Sequence, residues 1–395
     1  MHLLNAYATN CGLKVDKPFL LEKYFPLDIG QYITIHPYSK DAKTYDYWQE
    51  VVDILLPILA PAKIQILQIG GPKEKPLRGC YFTAGQTQPG HVAYLIRHGL
   101  LHMGADSFPV HIASSYDKKI VALYSSSYSA NVGPYWGDKR NHRLLEPNRN
   151  GQRPSYSLQE SPKSINTIKP ETIARAVCEL LEFDCPFPFE TVHIGNNYLN
   201  RRIEGVPDQV VDIRSLNIES LVMRMDITFD ENMLSEQLKT SKCSIVTNRP
   251  INKDLLSFFR SQILEVVYLL EENHDPDFVA LLQALGIKYG LVTSLSEETI
   301  TSMKLEYLDF GHILRKPAPS DVLKGIDPRK LYYRTSKFTL SKGAAYPSYM
   351  AYLNGAKAAD AVANLSPVAL PDGSIANFDK FLDEQEYLYV LKLSD

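Results

Sequence analysis

The segment GADSFPVHIAS, Gly104 to Ser114, sets an acid, a hydroxyl and an imidazole close together. Asp106 and Ser107 fall in a turn between a short apolar strand ending at Met103 and a helix predicted over Ser107–Ser115. A helix start offers unbonded backbone N–H groups and the positive end of the helix dipole, which suits a diphosphate. Ser107 adds a hydroxyl donor, and His111 lies one turn along. The same residues also suit a plain helix cap and a packed helix histidine.

Three further segments carry groups of the same kind. In HPYSKDAKTYDYW, His36 to Trp48, a strand ends in a polar turn before a helix. Lys43 is placed there to meet a phosphate as a point charge, and Ser39 to donate a hydrogen bond. A solvated loop lysine fits the pattern equally. In IGGPKE, Ile69 to Glu74, Gly70 and Gly71 allow close approach of a ligand, and Glu74 can accept from a ribose hydroxyl. A glycine turn of this type also occurs with no ligand at all. SSSYSANVGPYWG, Ser125 to Gly137, follows a strand. Its hydroxyls and Gly133 suit either the wall of a sugar or phosphate pocket or a surface loop.

These segments need strands and helices to hold them. From Tyr32 to Leu181 the two alternate: strands at YITIHP, KIQILQIGG, Gly99–Met103 and Lys119–Tyr124, with helices at TYDYWQEVVDILLPIL, Pro89–Arg97, Ser107–Ser115 and Pro170–Leu181. Such alternation predicts parallel strands with helical crossovers. Gly137 to Lys169, rich in Asn, Arg, Pro and Ser, reads as a long loop. A boundary is expected near Pro186 and Pro188. A second alternating unit follows, with strands at TVHIG, QVVDI, LVMRMDI, CSIVT, ILEVVYLL and KYGLVTS and helices at Asp230–Leu238, Asp254–Arg260 and Asp275–Leu285. From Lys316 the spacing becomes irregular and reads as a tail or small subdomain. Its stretch Tyr332 to Gly355 interleaves basic residues with tyrosines, which suits packing on the core or contact with a polyanion.

In order, the segments read strand–P-x-S-x-x-x-K-x-x-x-x-W, strand–G-G-x-x-E, G-x-D-S-x-x-x-H-I-A and strand–loop–G-P. Over about Gly30 to Leu181 this resembles the nucleotide-binding half of the ADP-heptose:lipopolysaccharide heptosyltransferase family. The resemblance implies a GT-B fold of two Rossmann-like domains, a nucleotide-diphosphate sugar as donor, and a place beside its diphosphate and sugar for Lys43, Asp106, Ser107 and His111. It places Glu74 near the nucleoside. Two departures stand out. Phe108 replaces the glycine usual after the Asp-Ser pair, which reshapes the donor pocket. Only about thirty residues precede the nucleotide-like domain, so either an acceptor domain follows it, in permuted order, or the second domain is a different module.

Composition bounds the rest. The chain has 395 residues, 45% hydrophobic and 22% charged, as in a globular protein of two domains with sizeable cores. A net charge of −3 argues against nonspecific nucleic-acid binding. The five cysteines form no C-x-x-C pair, which points away from disulfides and zinc and towards the cytoplasm. The start lacks a signal peptide pattern, and the apolar stretch Val51 to Ile69 is broken by Asp53, Pro57, Pro61 and Lys63, so no membrane span is expected.

The expectation is an α/β protein with two Rossmann-like domains, at 30–185 and 186–315, flanked by an N-terminal segment, 1–29, and a tail, 316–395. Its function would be glycosyl transfer from a nucleotide sugar to a hydroxyl on a glycan, lipid-linked glycan or nucleic acid. A non-catalytic nucleotide-sugar-binding protein is the alternative. Ser39, Lys43, Gly71, Glu74, Asp106, Ser107, Phe108, His111 and Gly133 would bind the donor, and no metal or cofactor is called for. Asp106, His111 and Asp226 are the catalytic candidates, with Asp212 and Asp230 as further positional choices for a base.

Overall fold

The computed structural model describes residues 1–199, 202–214, 220–307, 310–315, 323, 325–327, 330–346, 349–353, 355, 368–370 and 387–394. The chain divides into two compact units, Met1–Pro188 and Phe189–Asp395. Both are mixed α/β and carry largely parallel, Rossmann-like sheets.

In the first unit the elements run α1 (Leu3–Cys11), β1 (Tyr32–His36), α2 (Trp48–Leu59), β2 (Gln65–Gln68), β3 (Tyr81–Phe82), α3 (Pro89–His98), β4 (Leu101–Ala105), α4 (Phe108–Ser115), β5 (Lys119–Leu123), α5 (Ser129–Val132), β6 (His142–Leu145) and α6 (Pro170–Leu181). The sheet order is β3-β2-β1-β4-β5-β6, and every pairing is parallel. All carboxyl ends therefore open on one edge. The order reverses direction between β1 and β4, and in open α/β sheets ligands bind outside the carboxyl ends at such a switch point.

The central strands β1, β4 and β5 are buried on both faces, as the interior of a parallel sheet requires. Tyr32, Leu67, Ile120 and Ala122 pack with Val92, Leu95 and Ile96 of α3 and Val110 and Ala113 of α4. α2 packs on α6, and α2 contributes buried Trp48, Val51, Val52, Leu55 and Leu59, the face read from its spacing. Each such side chain contributes roughly 1.5–3 kcal/mol on burial. Gly104 lets β4 lie tight against β1: a Cβ there would stand 2.5 Å from the His36 carbonyl oxygen. The Gly137–Lys169 segment, expected as loop, supplies the edge strand β6, whose short His-Arg-Leu-Leu run offered too little apolar alternation to be seen.

In the second unit the eight-stranded sheet runs, in spatial order, 313–315, 289–293, 263–270, 243–247, 221–224, 202–205, 337–341 and 344–346, antiparallel only at the last pair. A four-stranded antiparallel sheet joins 368–370, 331–335, 388–393 and 189–194. Residues 331–346, set apart by the sequence reading as tail, thus supply strands to both sheets. Part of the expected tail, 316–395, including residues 316–322 and 371–386, lies outside the described residues. The expected strand QVVDI is instead irregular, held by hydrogen bonds between the Val211 backbone and the Gln237 side chain. Asp230 caps the helix Glu231–Thr240, accepting from the N–H groups of Asn232 and Met233.

Candidate functional site

Lys43 is delivered by a single 3-10 turn, Asp41–Lys43, just beyond β1. The turn is tied down on both sides. Ser125 Oγ donates to the Ala42 carbonyl at 2.5 Å, and the Ala42 N–H donates to Leu158 O at 3.0 Å. Lys43 Nζ then reaches Asp106 Oδ2 at 2.5 Å. Asp106, at the end of β4, is 7% exposed, so this is a half-buried ion pair at the sheet's switch point. Ser39 joins the same group, its Oγ donating to the Asp106 carbonyl at 3.2 Å.

Ser107 is the residue preceding α4, but its side chain does not cap that helix. Its Oγ lies 2.8 Å from His36 Nδ1 and 3.2 Å from Ala105 O instead. The side-chain cap that the sequence also allowed is therefore absent; in this first turn Pro109 has no N–H and that of Val110 donates to Ser107 O at 3.2 Å, which leaves the N–H of Phe108 as the one facing outward at the helix start. On the other side of His36, Nε2 faces Glu74 Oε1 at 3.4 Å, while that oxygen accepts from the Gly71 N–H at 2.8 Å. Glu74 Oε2 is buried, with no hydrogen-bond partner among the described residues. Gly70 makes this carboxylate position possible, since a Cβ there would lie 1.8 Å from Oε2.

Ser39, Gly71, Glu74, Ser107 and Phe108 share the wall of one cavity of about 660 Å³, together with His36. Lys73 and Lys75 also line it and make its rim basic. Phe108 is 50% exposed, its ring edge-on to His36 with centroids 6.2 Å apart, so the aromatic side chain stands at the mouth.

His111 sits in the first turn of α4, within electrostatic reach of the Lys43–Asp106 pair. Burial lowers its pKa; Asp106 opposes this, while His2 and Lys43 lower it further. The imidazole is thus held neutral near pH 7 and able to accept a proton. His2 belongs to the segment capping α1, and its Nε2 donates to the Gly133 carbonyl at 3.0 Å. Gly133 therefore contacts the chain's own N-terminus rather than the cavity wall. Asp226 lies in the second unit, gripped by both arms of Arg224 at 2.8 and 2.7 Å. Asp212 there accepts from the Arg214 N–H at 3.0 Å.

Two groups escaped the sequence reading. His36 was available as the last residue of a parallel strand, a position that feeds such sites. Tyr124 closes β5 fully buried; its hydroxyl has no partner among the described residues, and burial, Asp106 and Glu146 push its pKa well up. A buried hydroxyl that gains nothing is not missed when removed. Tyr124→Phe is expected to change unfolding stability by no more than about 1 kcal/mol, in either direction. A thermal melt showing a larger loss would mean that the hydroxyl is satisfied in solution.

Among the described residues, no group of three or more His, Cys, Asp or Glu side chains is arranged to hold a metal, and no helix is long and apolar enough to cross a membrane.

Residues 9–159 match the model of glycosyltransferase family 9 (heptosyltransferase). A comparison with curated proteins gave no match. Among solved structures, the chain is similar to ADP-heptose lps heptosyltransferase II of E. coli (18% identity, 45% of this chain and 50% of that one, TM-score 0.31). It is also similar to the E. coli heptosyltransferase WaaC with ADP (17%, 39% and 46%, 0.30). A family 9 glycosyl transferase of Veillonella parvula matches as well (20%, 45% and 50%, 0.30). The chain spans about half the length of these structures. The similarity to glycosyltransferase family 9 (heptosyltransferase) thus falls wholly within the first unit, the one that holds the Lys43–Asp106 pair and the His36 cavity.

Proposed function

We propose that the first unit binds a nucleotide-diphosphate sugar and that the protein transfers the sugar to an acceptor hydroxyl. The observation that carries this reading is the Lys43–Asp106 pair beside the uncapped start of α4, at the switch point of a parallel sheet. A fixed ammonium beside the positive end of a helix is what a leaving diphosphate needs, and no metal is required for that task. The adjoining cavity supports a nucleoside site, with Glu74 on its wall as the acceptor for a ribose hydroxyl. ADP-linked heptose is the donor that the resemblance suggests, and a related protein has been solved with ADP-D-beta-D-heptose. Phe108 at the cavity mouth would set the size of the sugar accepted.

For proton removal from the acceptor, His111 suits the base better than Asp106. Asp106 already shares its charge with Lys43 at 2.5 Å, whereas burial keeps the imidazole neutral. The acceptor is a hydroxyl compound of the glycan, lipid-linked glycan or nucleic-acid class.

The test is a thermal-shift panel of ADP, UDP, GDP and their sugar conjugates. A ligand present at 100 times its dissociation constant should add about 2.7 kcal/mol of stability. A shift with one nucleotide family, and release of the nucleoside diphosphate together with sugar transferred to the acceptor when acceptors are present, is the expected outcome. No shift with any nucleotide at millimolar concentration sinks the reading.

A further inference from the structure

Lys43 owes its place to residues far from it in the chain. It ends the 3-10 turn Asp41–Lys43 after β1, and Ala42 inside that turn is fully buried. Both backbone groups of Ala42 are held by other loops. Its N–H donates to Leu158 O at 3.0 Å, and its carbonyl accepts from Ser125 Oγ at 2.5 Å. Lys163 holds the flanks of the same turn, with Nζ 3.3 Å from Asp41 Oδ1 and 2.8 Å from Asp46 Oδ1. In the sheet β4 separates β1 from β5, so Ser125, just past β5, reaches Ala42 from beyond the strand whose end carries Asp106.

Ser125 is held in turn by Arg149. From the loop after β6, Arg149 Nη2 donates to the Ser125 carbonyl at 2.8 Å and lies 3.5 Å from that of Ser127. Its Nη1 donates to Glu146 Oε2 at 2.5 Å, while Glu146 Oε1 accepts from the Ser129 N–H at 2.7 Å. The guanidinium also lies over the Tyr128 ring, 5.4 Å from its centroid. A planar fork of N–H donors can join carbonyls and a carboxylate at fixed angles, which an ammonium on a flexible stem does not. Arg149 is thus fastened along the loop from Ser125 to Ser129.

We propose that Arg149 is a positioning residue for Lys43: it fixes the loop after β5, and through Ser125 that loop sets the turn that presents the Lys43 ammonium at Asp106. The proposal rests on the donor-site reading above and deepens it, since the diphosphate would meet an ammonium placed by a relay through the ends of β6, β5 and β1. The charge of Arg149 is matched by Glu146, so its effect on an anionic ligand passes through the position of Lys43.

ADP binding is measured by calorimetry for the wild type, Ser125→Ala, Arg149→Met and Arg149→Lys, each also combined with Lys43→Ala. Loss of one charge-assisted contact is equivalent to about tenfold in affinity. Each single variant should therefore bind ADP about tenfold more weakly than the wild type. Arg149→Lys should not restore binding, because the clamp needs the fork and not the charge alone. In the Lys43→Ala background the same substitutions should change affinity by less than about twofold, the non-additivity of residues that act through one group. Thermal melts show which variants are folded, and Ser125→Ala carries the test should both Arg149 variants unfold. Effects of equal size with and without Lys43, or restored binding in Arg149→Lys, overturn the proposal.

A second readout needs no nucleotide. With lysines labelled at the ε-carbon, the Lys43 signal is assigned by its loss in Lys43→Ala and followed in the ligand-free protein. In Ser125→Ala and Arg149→Met it should move towards the signals of solvated lysines as the contact with Asp106 loosens. A signal that stays in place overturns the proposal. Should wild-type protein bind no nucleotide, the donor reading fails, and this spectrum still decides whether Arg149 sets Lys43.

Discussion

Lys43→Ala should weaken nucleotide-diphosphate binding by roughly ten- to a hundredfold, the loss expected for removing a charge-assisted contact worth about 1.5–3 kcal/mol. Asp106→Asn should cost less. It loosens Lys43, whose Nζ now sits 2.5 Å from Oδ2, but it also removes a negative charge from beside an anionic ligand. Those two effects oppose each other, whereas nothing offsets the lost cation in Lys43→Ala. Titration calorimetry with ADP measures both, and the Lys43 effect should shrink with added salt because the pair is partly solvated. If the ion pair is only structural, both variants lower the melting temperature of the free protein and leave the dissociation constant unchanged. That pattern would move the diphosphate away from the switch point and remove the main support for the transferase reading.

Much of this site was legible because its physics is local. Strand-then-turn signals put Ser39, Lys43, Gly71, Asp106 and Ser107 at carboxyl ends of strands, and parallel pairing brings such ends to one edge. What the sequence cannot give is partner choice. Ser107 reads as a helix cap by position, yet its hydroxyl turns to His36, seventy-one residues away in the chain. Gly133 reads as pocket lining, yet its carbonyl is taken by His2. Both are long-range contacts, invisible to spacing.

The second unit was harder to read for a different reason. The strand Arg202–Gly205 gives no strand signal in sequence, because Arg, Ile, Glu and Gly carry no apolar alternation. It lies inside the sheet nonetheless, with Glu204 at 1% exposure, because the charges are matched across strands. Ion pairing here replaces the hydrophobic signal on which strand prediction relies. The order of the strands likewise hid that 337–341 returns to pair beside 202–205 from far along the chain. Sequence spacing alone gave that stretch the look of a tail.

That matched charge makes Glu204→Gln the substitution with the largest expected effect on stability. Glu204 Oε2 accepts from Arg224 Nη1 at 2.8 Å, and Lys337 Nζ and Arg202 Nε stand 3.4 and 3.8 Å from Oε1. Burial pushes the carboxyl pKa up, but Arg224, Lys337 and Arg202 outweigh it and hold the group at about 2. A depression from 4.5 to about 2 corresponds to roughly 3 kcal/mol of folding stability. That contribution is complete above the unfolded carboxyl range and is lost as pH falls from about 4.5 towards 2. Glu204→Gln keeps the shape and removes the charge, leaving the three cations around a neutral amide. Breaking a buried pair in this way costs about 3–5 kcal/mol. Denaturant unfolding at pH 7 should therefore show a loss of that size in the transition of the second unit, and the gap from wild type should narrow below pH 4. A loss under about 1 kcal/mol at pH 7, or a gap that does not depend on pH, would mean that Glu204 is not the anion on which this sheet's interior depends.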